Sequence, residues 1–330
     1  MPIKIVHKGS SNKNQTGAES SFLPAKPIGE AATTITVSPP FIDKISIVVK
    51  PANDADAENI HKALWTAFLD KADFQLASAQ ATNGYHAARL INIKSTPARP
   101  LIQYRRSEPG KAERIRLEFN PRKLGGEGLT ELAAWMDSIL PDGWEYVVTN
   151  GHVTRIDIAV DVVGVRVENF LCLPKQGITS TVWGVNGQVQ TITLGKKGDQ
   201  TSIYNVKAKR LNKKQGWSGK TKIRVERRLK NPTFYGFSKL SELANPFSGL
   251  VMTFALPPPA ADMKFWEWRI FGDSVQVRGL AAALALLPKE RRAKYRAHLK
   301  LYAQSWWNPE ALWEGWSKIV GASRLTEFKP

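Results

Sequence analysis

From Val153 to Val163 apolar and polar residues alternate at the period of a β-strand. Ile156, Ile158, Val160 and Val162 would line one face, and Arg155, Asp157, Ala159 and Asp161 the other. Aspartate is a poor strand former, and a buried carboxylate demands a metal, a cationic partner or a catalytic task. Asp157 and Asp161 are roughly 13 Å apart along a straight strand, so both cannot directly chelate one ion. Metal ligation and arginine pairing both stay open for each. A second segment, Lys222 to Leu229, carries Ile223, Val225 and Leu229 on one face and Arg224, Glu226 and Arg228 on the other. Glu226 is a candidate metal ligand there, and the arginines are candidate phosphate contacts. The plain alternative is a half-exposed strand with cross-strand ion pairs. In the third segment the turn Gly195-Lys196-Lys197-Gly198 returns the chain toward Tyr204 and Lys207. A phenol has a pKa of about 10 and is a weak nucleophile at neutral pH. Attack on a phosphodiester therefore needs a metal to polarise the phosphate and a nearby cation to carry charge. The product would be a covalent phosphotyrosine. The plain alternative is a tyrosine packed at a sheet edge.

Taken in order, these segments read Arg-Ile-Asp-x-x-x-Asp (155–161), Thr-x-x-x-Gly (191–195), Ile-Tyr-x-x-Lys (203–207) and Arg-x-Glu-x-x-Leu (224–229). The set resembles the replication initiation factor family, the initiators of rolling-circle plasmids and phages and the related relaxases of conjugative elements. The resemblance spans about Ile42 to Pro232. It implies a site-specific enzyme that nicks and recloses single DNA strands at an origin with Mg2+ or Mn2+. It assigns Tyr204 to the nucleophile, Asp157 and Glu226 to acidic positions near the metal, with Asp161 a further candidate, and Lys207 to the basic residue after the tyrosine. Arg155, Lys196, Lys197, Arg224 and Arg228 are the expected DNA contacts. Two departures stand out. The family usually has lysine two residues after the tyrosine, where Asn205-Val206-Lys207 stands here. An acidic residue often follows, where Lys209 and Arg210 stand.

The elements that must position these groups predict an α+β fold. A mostly antiparallel central sheet is covered by helices, similar to the nicking enzymes that carry a His-hydrophobic-His pair but without that pair, and a C-terminal helical segment follows. Strands are expected at Ile45–Val49, Ile102–Arg105, Arg114–Phe119, Tyr146–Val148, Val153–Val163 and Lys222–Leu229, with a hairpin from Gln188–Leu194 to Thr201–Val206 and a last strand at Trp266–Phe271. Helices are expected at Asp54–Asp70, Leu129–Leu140, Val275–Leu287, Lys289–Trp306 and Pro309–Val320. A turn is expected at Ser107-Glu108-Pro109-Gly110. The segmentation is a disordered basic tail over 1–40, a catalytic domain over 41–240 and a mainly helical segment over 241–330. A short echo links Arg114 to Pro121 with Ile223 to Pro232: each has Arg-apolar-Glu at its centre and Asn-Pro at or past its end. Related halves and chance both account for it.

Composition bounds the partners. The chain has 330 residues, and 47 Lys and Arg against 29 Asp and Glu give a net charge of +18. Such a surface attracts polyanions, and DNA is the expected partner; an anionic membrane, an acidic protein and RNA are the rivals. The single cysteine, Cys172, rules out an internal disulfide. The longest apolar stretch, Leu280 to Leu287, is far shorter than the roughly 20 residues of a membrane span. A cytoplasmic protein without membrane contact is expected, and a homodimer is open. No P-loop or zinc spacing occurs. The basic run Lys289 to His298 and the following Trp306, Trp307, Trp313 and Trp316 suit either base stacking or core packing. For Trp313 and Trp316 core is favoured. A non-catalytic DNA-binding protein on the same scaffold is the alternative to the enzyme.

Overall fold

A computed structural model of the chain describes residues 34–69, 74–76, 84–106, 113–175, 180–185, 188–196, 198–232, 236–254 and 256–326. The expected turn at Ser107 to Gly110, most of the N-terminal tail and Lys197 lie outside the described residues. The fold is α+β, a large and mostly antiparallel sheet with helices, including a C-terminal run of them. In chain order the elements are β1 (Thr36–Val37), β2 (Phe41–Val49), α1 (Asp54–Leu69), β3 (Phe74–Leu76), β4 (Ala87–Ile91), β5 (Leu101–Arg105), β6 (Arg114–Phe119), α2 (Pro121–Asp137) and α3 (Gly143–Asn150). There follow β7 (Gly151–Val163), β8 (Phe170–Leu173), β9 (Ser180–Val185), β10 (Gln188–Lys196), β11 (Asp199–Asn205), α4 (Val206–Asn212) and β12 (Lys222–Lys230). The rest are β13 (Val251–Phe254), α5 (Phe265–Arg278), α6 (Leu280–Ala285), α7 (Lys289–Leu301), α8 (Pro309–Trp313) and α9 (Trp316–Ala322).

The described chain groups into two compact units. The first holds Pro40–Ala159, Arg228–Pro246 and Leu312–Pro330; the second holds Val160–Arg227, Phe247–Ala311 and the segment ending at Pro39. The grouping therefore interleaves segments, whereas the expected divisions at residues 40 and 240 follow the chain.

In the first unit the strand order is β3-β4-β5-β6-β2-β7. Its register stacks apolar side chains on one face: Ile45 lies opposite Phe119 and Ile156, Ile47 opposite Leu117, and Ile102 opposite Leu117. That face is buried, together with Ile60 and Leu64 of α1, Leu132 and Met136 of α2, and Trp144 and Val147 of α3. The register of β2 against β7 slips between Ile42 and Lys44 and between Ser46 and Ile47. Each slip is a bulge that adds a residue and keeps the apolar set pointing into the core on both sides of it. The opposite face is polar, with Lys44 and Ser46 on β2, Gln103 and Arg105 on β5, Arg116 and Glu118 on β6, and Arg155 and Asp157 on β7.

In the second unit the order is β9-β10-β11-β12-β7, and β1 pairs the end of β7 through Thr36 opposite Val163 and Val37 opposite Val162. The expected tail thus contains a strand. A separate pair, β8 with β13, adjoins α5 to α7, whose core includes Leu173, Trp268, Phe271, Leu284, Tyr295 and Leu299. Both units lay down their strands in the same pattern. A first strand, β2 or β7, is followed by a meander whose last strand, β6 or β12, returns to pair with it. The echoed Arg-x-Glu stretches occupy those returning strands.

Several expected elements differ. Tyr146–Val148 belongs to helix α3, and Trp266–Phe271 to helix α5; neither is a strand. The helix expected over Val275–Leu287 is divided at Gly279, whose φ of +79° breaks the helical path between α5 and α6. Helix α7 ends at Leu301, and the expected Pro309–Val320 helix is split into α8 and α9. The α2 segment starts earlier than expected, as a first turn capped by Asn120, whose side chain accepts from Lys123 N at 2.9 Å with Pro121 in that turn; the path is broken at Gly125 (φ +65°) before the expected helix follows.

Candidate functional site

The hairpin of β10 and β11 sets the position of Tyr204. Gly195 has a φ of +98°, and a Cβ there would stand 2.5 Å from the Asp199 carbonyl oxygen, so the turn tolerates only glycine. The register then runs from Lys196 opposite Asp199 to Thr191 opposite Tyr204. Tyr204 is 4% exposed, and its hydroxyl donates to Glu226 Oε2 at 3.0 Å. Helix α4 starts directly after the strand, because the Asn205 side chain caps it by accepting from Ala208 N at 3.1 Å. The helical turn brings Lys209 back over the phenol. Its Nζ is 3.5 Å from the Tyr204 ring centroid and 3.8 Å from Glu226 Oε2. A phenol, a buried carboxylate and an ammonium thus meet, joined by a hydrogen bond, an ion pair and a cation–π contact. Lys207 is exposed on the first turn of α4. The cation over the phenol is Lys209, a position the strand-based reading of Tyr204 to Lys207 had no means of finding.

The acids of β7 are buried, and they are held by cations. Asp157 accepts from Arg155 Nε at 2.9 Å and from Arg155 Nη2 at 2.5 Å. Arg228 Nε lies 3.4 Å from each of its oxygens. Asp161 accepts from Lys222 Nζ at 2.6 Å, from Arg224 Nε at 2.6 Å and from Arg224 Nη2 at 3.2 Å. Its backbone N–H also donates to Ser38 Oγ at 2.9 Å. Burial alone would raise the Asp161 pKa. The hydrogen bonds from Arg224 and Lys222, with their charge, outweigh burial and hold the carboxyl below its usual range. Neither Lys222 nor Ser38 was singled out by sequence, because each acts only once β7 has its neighbours.

Asp157, Asp161 and Glu226 therefore do not come together as a ligand set. Among the described residues no group of three His, Cys, Asp or Glu could hold a metal ion. Each of these carboxylates already has cationic partners: Arg155 and Arg228, Lys222 and Arg224, and Lys209. As placed they fit ion pairs and do not fit a Mg2+ or Mn2+ site. The expected DNA contacts Arg155, Arg224 and Arg228 double as those partners. Lys196 is exposed at the hairpin end, where Asp199 pairs with Arg227 at 2.6 Å.

The C-terminal basic helix spends its charge locally. Arg291 pairs with Glu267 at 3.0 Å, Lys294 with Asp262 at 2.6 Å, and Arg292 donates to the Leu284 and Leu287 carbonyls at the end of α6. Trp313 and Trp316 stack with centroids 4.4 Å apart and donate to the Leu243 and Leu240 carbonyls, so both serve packing. In the first unit, Glu118 on the polar face accepts from Lys44 at 2.6 Å and from Arg116 at 2.7 Å. Arg116 also donates to Ser46 and Gln103.

No protein-family model matches the chain, and no curated protein matches it.

Proposed function

We propose that the chain is a rolling-circle DNA replication initiator that nicks and recloses one strand at an origin, with Tyr204 as the nucleophile. The observation that supports this is the meeting of phenol, carboxylate and ammonium at Tyr204, Glu226 and Lys209. In this reading Glu226 takes the phenol proton as Tyr204 Oη bonds to the scissile phosphorus. The bond from phosphorus to the 3′ oxygen breaks, and that oxygen takes a proton from solvent to leave a 3′-hydroxyl that can prime synthesis. The other strand end stays joined to the protein as a 5′-phosphotyrosine. Closing reverses the steps: the 3′-hydroxyl attacks phosphorus and the phenolate recovers its proton from Glu226. Lys209, with its side chain 44% exposed, is the part of the cluster that solvent reaches, and it would balance the charge that grows on the phosphate. The surface cations supply the attraction for the DNA backbone.

A second reading, a DNA-binding protein that keeps the scaffold without cleaving, is favoured by a specific observation. Tyr204 is 4% exposed, and the acids beside it and on β7 are already engaged by cations. One experiment separates the readings. A supercoiled plasmid carrying the DNA around this gene is mixed with the full chain in Mg2+, Mn2+ and EDTA arms, and nicked circles and protein-linked strands are scored. The initiator reading expects nicking and a covalent adduct from the native chain. It expects neither from Tyr204→Phe, with DNA binding retained. Binding without nicking in every arm would establish the second reading instead, and nicking by Tyr204→Phe would move the nucleophile elsewhere.

A further inference from the structure

The first turn of α2 ends in two glycines, and the chain there leaves space that side chains would otherwise fill. Gly125, with a φ of +65° and a ψ of −175°, breaks the helix. A Cβ added at Gly125 or Gly126 would meet no atom within 4 Å. The space is a cavity of about 340 Å³, open to solvent. Its walls are Phe41 and Ile42 at the start of β2, Leu129 of α2, Ile319 of α9 and Leu325 just beyond it, all within the first unit. Such a volume lies at the low end of small-molecule sites, roughly 300–1,000 Å³. Two guanidiniums belong to its lining. Arg122 lies over the Phe41 ring, its Cζ 4.1 Å from the centroid. Arg324 has a φ of +55°, a conformation that suits glycine and costs other residues. Its backbone N–H donates to the Gly321 carbonyl at 3.0 Å, closing α9 at a position where glycine would serve the turn better. The Arg324 side chain is exposed, and among the described residues its guanidinium has no ion pair or hydrogen bond. No carboxylate lines the cavity among the described residues. The lining's hydroxyl, on Ser323, already donates to the Val320 carbonyl at 2.6 Å.

We propose that this cavity binds a small organic acid, with its apolar ring or branched chain among Phe41, Leu129, Ile319 and Leu325 and its carboxylate or phosphate on Arg324 and Arg122. The apolar walls select the body of the ligand, and a lining with cations and no acid selects its charge. An unpaired nucleobase is served less well, because the Ser323 hydroxyl is spent and cannot read a base edge. The bound anion also gives Arg324 a reason to hold a backbone conformation that the turn alone would give to glycine. The site lies outside the Tyr204 cluster and depends neither on nicking nor on DNA binding, so failure of either leaves it standing.

The test uses the full chain without DNA. Anilinonaphthalene sulfonate, an aromatic body with one anion, is titrated as a fluorescent probe and displaced by phenylbutyrate, phenyl phosphate or the neutral phenylbutanol. The two acids are expected to displace it at lower concentration than the alcohol, and the better of the two names the anionic group. Arg324→Gly removes the cation and relieves the backbone, so it should weaken phenylbutyrate about tenfold while melting no lower than the parent. Gly126→Leu has room for its side chain and should abolish displaceable binding, again without a lower melting temperature. Ala322→Leu, on α9, checks the same cavity from a second element. Lost binding in variants that melt as the parent does supports the site. Displaceable binding that survives Gly126→Leu and Ala322→Leu unchanged overturns it, since the probe would then sit elsewhere. Equal displacement by the acid and the alcohol, or full phenylbutyrate affinity in Arg324→Gly, overturns the assignment of the anion to the arginines. If an oligonucleotide of thymidine displaces the probe better than phenylbutyrate and loses that advantage in Gly126→Leu, the occupant is an unpaired nucleotide and the organic-acid assignment fails.

Discussion

Glu226 is more than an ordinary strand residue, since it accepts from the Tyr204 hydroxyl and pairs with Lys209. Glu226→Gln keeps the shape and removes the charge. If the initiator reading holds, single-turnover nicking should fall about 10²–10⁴-fold while DNA affinity stays within twofold or so of the parent. Asp161 makes a different prediction. Its carboxyl is held below the ordinary range, so the stability it contributes is complete above the unfolded-state pKa and is lost as pH falls through the depressed folded value. Asp161→Asn leaves Lys222 and Arg224 facing a neutral amide in a site where the acid was 5% exposed. Near neutral pH this should cost about 3 kcal/mol, the low end for a broken buried pair because both cations keep some contact with water. Urea unfolding of parent and variant should converge at acid pH; a constant gap would show that charge is not the cause.

At the scale of elements, the alternation from Arg155 to Val162 was legible because a strand buried on one face must repeat every second residue. The hairpin around Gly195 was legible for a similar reason, since glycines bracket its turn. Gly195→Ala should cost about 1–3 kcal/mol through a forbidden φ and the clash with the Asp199 carbonyl. It should also disorder Tyr204 more than Tyr104, which amide exchange can compare. What misled was periodicity without context. Phe265 to Phe271 alternates almost like a strand, yet it is a helix with Phe265, Trp266 and Ile270 exposed at 63%, 58% and 60%. Tyr146 to Val148 is a short apolar run, and such a run fits strand and buried helix alike. Lys209 stayed hidden because its approach to Tyr204 depends on a cap at Asn205 that turns the chain. The carboxylate partners stayed hidden because ion pairing and metal ligation ask for the same residue types. The strand order repeated in the two units puts the Arg-x-Glu echo in a new light. Glu118 and Glu226 occupy the returning strand of each meander, but only the second faces a phenol.

At the scale of the whole molecule, the first unit depends on residues far apart in the chain. Trp316 of α9 is 2% exposed and donates to the Leu240 carbonyl at 3.0 Å. Trp144 of α3 donates to the Leu325 carbonyl at 3.0 Å. Trp316→Ala should therefore cost about 3–5 kcal/mol, and chemical denaturation should show the loss even though the tryptophan lies outside the sheet. Among the described residues no helix is long and apolar enough to cross a membrane.

That late closure has a consequence for biosynthesis. The bond from Trp144 to Leu325 joins residues 181 positions apart. At about 5–20 residues per second, a ribosome needs roughly 9–36 s to make the second after the first. For that interval the nascent sheet waits with an indole and its surrounding apolar surface unsheltered. A holdase able to shield aromatic surface should raise the yield of native chains most during this window, and slowing translation downstream of residue 150 should lower it.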